Sequence, residues 1–211
     1  MVDVQAISPA LLTEQLADRI AAFPRAAWVR VAIDGAPPAE PGLLAGRLID
    51  PLRLRGRAAV RVSSADFLRP ASLRLEFGRT DPDVYYDEWL DTKALMREVF
   101  GPLEPDGGDG RILPALWDAE RDRASRAEYT TLPRGGILLV DGALLLGRGL
   151  PFDLAVHLWL SPAALARKTA PELAWTLPAY ERYEREADPR RAADIVVRVD
   201  DPRHPALVNR W

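Results

Sequence analysis

Gly136-Ile137-Leu138-Leu139-Val140-Asp141-Gly142 is an unbroken apolar run closed by an acid. A strand covered on both faces needs apolar side chains on both, so this run reads as an interior strand of a parallel sheet with Asp141 at its carboxyl end. Upstream, Trp28 to Ile33 is a second short apolar run, ending at Asp34-Gly35, and Ala58 to Val62 is a third, ending at Ser63-Ser64-Ala65-Asp66. Downstream, Leu154 to Leu160 and Ile195 to Val199 complete the set.

Helical patterns alternate with these strands. Ser8-Pro9 supplies cap and first-turn chemistry for residues 9–23, where Leu12, Leu16 and Ile20 share one face. A second pattern runs from Leu43 to about Leu54, and a third over 89–100 stops at Gly101-Pro102. Ser161-Pro162 opens another helix, and 171–187 is a charged helical segment. Residues 67–86 lack periodicity and are expected to pass over the site, while 106–110 reads as a flexible loop. Strands alternating with helices imply an α/β fold, a doubly wound parallel sheet flanked by helices in three layers, spanning 1–211 as one domain. Ligands on such sheets bind beyond the carboxyl ends of the strands, where Asp34, Asp66 and Asp141 are expected.

Composition narrows the function classes. With 211 residues, 48% of them hydrophobic, the chain suits one sizeable core. A net charge of -3 with both signs interspersed gives no overall drive toward nucleic acid or an anionic membrane. No apolar run reaches membrane-spanning length and no export signal opens the chain, so a cytoplasmic protein is expected. The absence of cysteine excludes disulfides, thiolate nucleophiles and Cys-based zinc sites. Heavy use of Ala, Arg, Pro and Leu has the look of a GC-rich bacterial genome.

Several stretches, in order, resemble the bacterial uridine kinase family of P-loop NTPases. Val31-Ala32-Ile33-Asp34-Gly35 resembles its first strand and opening P-loop glycine, and Ile137 to Gly142 its Walker B strand. Asp66-Phe67-Leu68-Arg69-Pro70 resembles the DDFHRP segment, Gly78 to Tyr86 the nucleoside-side loop, and Arg111 to Asp118 the RYxPxxHD segment. Tyr183 to Pro189 followed by Ala193 to Val197 resembles the closing helix and strand. The resemblance covers Val29 to about Asp201 and implies the nucleoside-kinase branch of the P-loop fold. It also implies ATP and Mg²⁺ as cofactors of an active member, and a homo-oligomer.

The departures from that pattern bear on activity. A working P-loop reads GxxxxGK followed by Ser or Thr, because backbone N–H groups wrap the phosphates, the Lys neutralises charge and the hydroxyl holds magnesium. The corresponding stretch here is Gly35-Ala36-Pro37-Pro38-Ala39-Glu40-Pro41-Gly42. Three prolines remove three donors, and Glu40 brings a carboxylate where polyphosphate lies. Each lost charge-assisted hydrogen bond is worth about 1.5–3 kcal/mol. The family's sugar-side base falls at Ala65, and its Tyr and His on the nucleoside side become Ile112 and Trp117.

The resemblance leaves a set of candidates. Asp66 and Asp141 are the candidate catalytic acids, with Asp141 the candidate metal ligand. Gly35, Gly42, Arg167 and Lys168 are the candidate phosphate-side residues, and Arg69, Arg79, Tyr85 and Arg111 the substrate-side ones. Asp34, Asp66 and Asp141 together could form a hard-cation site. Tyr85, Tyr86, Trp89 and Trp117 read as packing before base stacking, and His157 as a satisfied core residue. The main expectation is a kinase-derived protein that has lost efficient phosphotransfer, needs no cofactor and binds a small molecule or protein. The alternative is an active ATP-dependent kinase for a nucleoside or other small hydroxyl compound, with Arg167 or Lys168 in place of the missing lysine. If the scaffold is intact, Glu40→Gly, Pro41→Lys and Gly42→Ser together should recover ATP binding.

Overall fold

A computed structural model of the chain describes residues 3–209. Seven strands form the main sheet: β1 (Asp3–Ala6), β2 (Val29–Gly35), β3 (Ala59–Ser63), β4 (Ile137–Gly142), β5 (Leu154–Trp159), β6 (Ile195–Arg198) and β7 (Ala206–Asn209), in the order β1-β7-β6-β5-β2-β4-β3. From β6 to β3 every pairing is parallel, and β7 and β1 add an antiparallel edge. The expected parallel sheet is therefore present, with a two-strand edge made from the two ends of the chain.

The central strands bury both faces. Along β4, Ile137 and Leu139 join Val29, Val31 and Ile33 of β2 in one cluster, while Leu138 and Val140 enter another on the opposite face. Helices α1 (Pro9–Ala21) and α2 (Pro41–Leu54) cover the first face through Leu16, Ile20, Leu48 and Leu52. The second face is covered by Thr92–Leu95, its π-helical continuation Met96–Phe100, and the helix Leu177–Glu186. The shorter helices are α3 (Pro82–Glu88), α4 (Pro162–Lys168) and α5 (Leu177–Glu186). Local chemistry sets several ends: Ser8 Oγ accepts from Leu11 N–H, and Ser161 Oγ from Ala164 N–H.

Two expectations are corrected in detail. The segment 171–187 begins as a 3₁₀ helix over Pro171–Thr176 and becomes α-helical only from Leu177. The excursion 67–86 ends inside α3, which is opened by Pro82 with Asp81 capping Asp83 and Val84. Among the described residues no helix is long and apolar enough to cross a membrane.

Candidate functional site

Strand register decides which of the strand-end groups can meet. Ile33 lies opposite Asp141, and Asp34 opposite Gly142 on one side and His157 on the other. Side chains alternate along a strand, so Asp141 shares the face of Ile33 and Asp34 points to the other face. The three strand-end acids therefore do not converge as expected. Among the described residues no group of three or more His, Asp or Glu side chains could hold a metal ion.

Asp141 is 3% exposed and is engaged by Arg61 of β3. Arg61 Nε donates to Asp141 Oδ1 at 2.5 Å and Nη2 to Oδ2 at 3.0 Å, a two-pronged ion pair. The pairing follows from register: Arg61 lies opposite Leu139, so Asp141 is its diagonal neighbour on the same face. The pair sits against the first turn of α2. A Cβ built on Gly42 would lie 2.6 Å from Arg61 Nη2 and 3.0 Å from Asp141 Oδ2, so glycine is what lets the helix approach. Arg61 belongs to no motif and was not among the sequence candidates.

The segment between Gly35 and Gly42 is a closed turn. Pro37–Ala39 is a 3₁₀ helix whose internal bonds use the Ala39 N–H on Ala36 O (2.8 Å) and the Glu40 N–H on Pro37 O (3.0 Å). Leu43 and Leu44 donate back to Glu40 O, and the three prolines have no N–H. Glu40 itself is left-handed (φ 56°, ψ 50°), a conformation that costs a non-glycine residue about 1–2 kcal/mol.

Above this turn opens a cleft of about 780 Å³. Of the candidates, Gly35, Gly42, Lys168 and Tyr85 line it, along with Glu40, Arg61, Ala65 and Arg148. Its walls are largely apolar, and Tyr85, Trp89 and Trp175 pack edge-on or tilted at centroid distances of 5.0–5.7 Å. Tyr85 hydroxyl meets Tyr180 hydroxyl at 2.8 Å, and burial pushes both phenols up, Tyr180 the further. Arg148 is held by the carbonyls of Leu144 and Tyr86.

The remaining candidates fall outside. Asp66 sits in the 3₁₀ turn Ser64–Phe67, where Ala65 and not Asp66 faces the cleft. Burial raises its carboxyl, with Arg61 opposing and Asp141 and Asp118 adding to the rise. Arg167 is exposed at the end of α4. Arg69 pairs with Glu88, Arg79 is exposed, and Arg111 stacks 4.9 Å over Tyr129. Trp117 donates to Asp122, and Tyr86 packs beneath Arg148 and Arg182.

On the opposite face Asp34 is fully buried and saturated. Its Oδ1 accepts the Leu145 N–H at 2.9 Å, while Oδ2 meets the Tyr183 hydroxyl at 3.1 Å and His157 Nδ1 at 2.6 Å. His157 is thus only half-satisfied, because its Nε2 is buried without a partner. That corrects the expectation of a satisfied core histidine.

The fold, a mostly parallel sheet flanked by helices with a loop-to-helix turn at the carboxyl end of β2, matches that of solved kinase structures. The chain matches a possible uridine kinase from Bacillus stearothermophilus with a TM-score of 0.69, at 21% identity over 87% of this chain and 96% of that one. It also matches phosphoribulokinase from Rhodobacter spheroides with a TM-score of 0.52, at 14% identity over 83% of this chain and 71% of that one. No family model and no curated protein matches the sequence. The likeness is one of fold.

Proposed function

We propose that this protein is a kinase-derived binding protein that does not transfer phosphate, and that its cleft takes a small organic ligand with an apolar or aromatic body. The Arg61–Asp141 ion pair lying on Gly42 carries this reading. Both carboxylate oxygens of Asp141 are engaged by a guanidinium, which supplies the positive charge that a metal would otherwise bring. ATP and Mg²⁺ do not fit the groups present: three prolines of the turn have no N–H, Ala39 and Glu40 bond theirs within it, and Glu40 faces the cleft with the wrong sign for a phosphate chain. What remains is a mostly apolar cavity of a size suited to a small molecule, with two tryptophans in its wall.

One observation favours a second reading. Lys168 lines the same cleft, its recorded polar contact is Val199 O at 3.5 Å, and among the described residues no carboxylate pairs with it. A lid cation of this kind would support an active kinase with a displaced phosphate site.

The test combines two readouts on one panel of nucleosides, polyols and aromatic carboxylates. Intrinsic tryptophan fluorescence is expected to respond saturably to at least one compound, and ADP release from MgATP is expected to stay at the buffer level with all of them. ADP release that Lys168→Ala abolishes would establish the kinase reading. A flat fluorescence response across the panel would contradict the ligand-binding one.

A further inference from the structure

A second cavity, of about 450 Å³, lies on the other side of Leu144 and Tyr180 from the cleft, between the end of β5 and helices α4 and α5. Its lining includes His157 and Glu184. The tautomer of His157 follows from its surroundings. Tyr183 hydroxyl accepts the Leu146 N–H at 2.9 Å, so its own proton goes to Asp34 Oδ2. A carboxylate that receives Tyr183 and Leu145 can meet His157 Nδ1 only as an acceptor, which places a proton on Nδ1 and, in the neutral imidazole, leaves Nε2 with its lone pair.

That lone pair has no donor. Nε2 is buried and unpartnered, in a side chain that is 6% exposed. Glu184 Oε1, another acceptor, lies 3.9 Å from it. Glu184 Oε2 is already committed to Arg190 Nε at 3.0 Å, which fixes the carboxylate and leaves Oε1 turned toward the imidazole. Two acceptors 3.9 Å apart can share one donor that lies within hydrogen-bond distance of both. A buried acceptor without a donor is costly, and Nε2 is one. Around it Leu144, Leu160 and Leu165 present apolar surface.

We propose that this cavity is a second binding site, for a small molecule with a protonated amine head and an aliphatic body. The amine donates to His157 Nε2 and Glu184 Oε1, and the chain covers the leucines. Asp34 and Tyr183 act as positioning residues that hold the imidazole in the accepting tautomer. The site is separate from the cleft and does not depend on how the cleft is used.

The histidine itself reports binding, since the chain has only two histidines and a His204→Gln variant assigns the His157 signals. Long-range ¹H–¹⁵N spectra of the full chain are recorded during titration with hexylamine, hexanol and hexanoate. The expected result is an unprotonated Nε2 whose signal moves saturably with hexylamine, at a dissociation constant of about 1–10 mM for so small a probe, and a response to hexanoate at least about tenfold weaker. His157→Phe should abolish hexylamine binding. Because that change also disturbs Asp34, Glu184→Gln at the cavity rim serves as the second variant, and it should remove the preference for hexylamine over hexanol. No saturable shift up to about 50 mM hexylamine, several times the weakest affinity expected, would show that the acceptors hold only water. Equal binding of hexanoate, or a preference that survives Glu184→Gln, would overturn the amine assignment.

Discussion

The triple variant Glu40→Gly, Pro41→Lys and Gly42→Ser is expected to bind MgATP no more tightly than about 10 mM, whereas the same three changes combined with Arg61→Ala bind it at least about 100-fold more tightly, a difference of about 2.8 kcal/mol. Restoring the motif alone fails for a geometric reason. The Cβ of a serine at position 42 would start 2.6 Å from Arg61 Nη2 and 3.0 Å from Asp141 Oδ2, so its hydroxyl would meet a guanidinium where it should meet a metal. Removing Arg61 frees both oxygens of Asp141, and the lysine introduced at position 41 supplies the compensating charge. Calorimetric titration of the two variants measures the difference. Equal affinities would show that Arg61 is not the obstruction.

The second large effect is on stability. Arg57 is 1% exposed and ties three backbone carbonyls together: Nε donates to Gly135 O at 2.8 Å, and Nη1 to Ala21 O at 2.8 Å and Phe23 O at 2.7 Å. It therefore joins the end of α1 to the entry of β4, the strand that carries Asp141. Arg57→Ala removes the shared donor and leaves those carbonyls to find others, an expected loss of about 3–5 kcal/mol in urea denaturation. Arg57→Lys should recover less than half of it, because one ammonium cannot reproduce the planar fork. A loss below about 1 kcal/mol, the size of a surface change, would contradict this reading.

What the sequence conveyed follows from which signals are local. The run Ile137 to Gly142 needed only its own composition to be read as a buried strand, and the parallel strands sit within a residue or two of where apolar runs and caps placed them. β1 and β7 were not legible, because each is four residues long and gains its place only by pairing with the other end of the chain. The site was read less well for the same reason. Gly35, Gly42, Tyr85 and Lys168 share one cleft. Arg61 went unnoticed because its role depends on the register of β3 against β4, and Asp34 was grouped with Asp141 because parity across strands is invisible before strand order is known. The prolines and Glu40 carry the expectation of a changed phosphate loop. In the turn that they form, the Ala39 and Glu40 N–H groups bond internally.

In the proposed reading, the Arg61 guanidinium stands where metal and phosphate would bind. Calorimetric titration of the unmodified protein with MgATP puts this to the test. No saturable heat is expected up to millimolar nucleotide from a protein that remains folded. A dissociation constant of about 100 μM or tighter, within the ordinary substrate range, would contradict it.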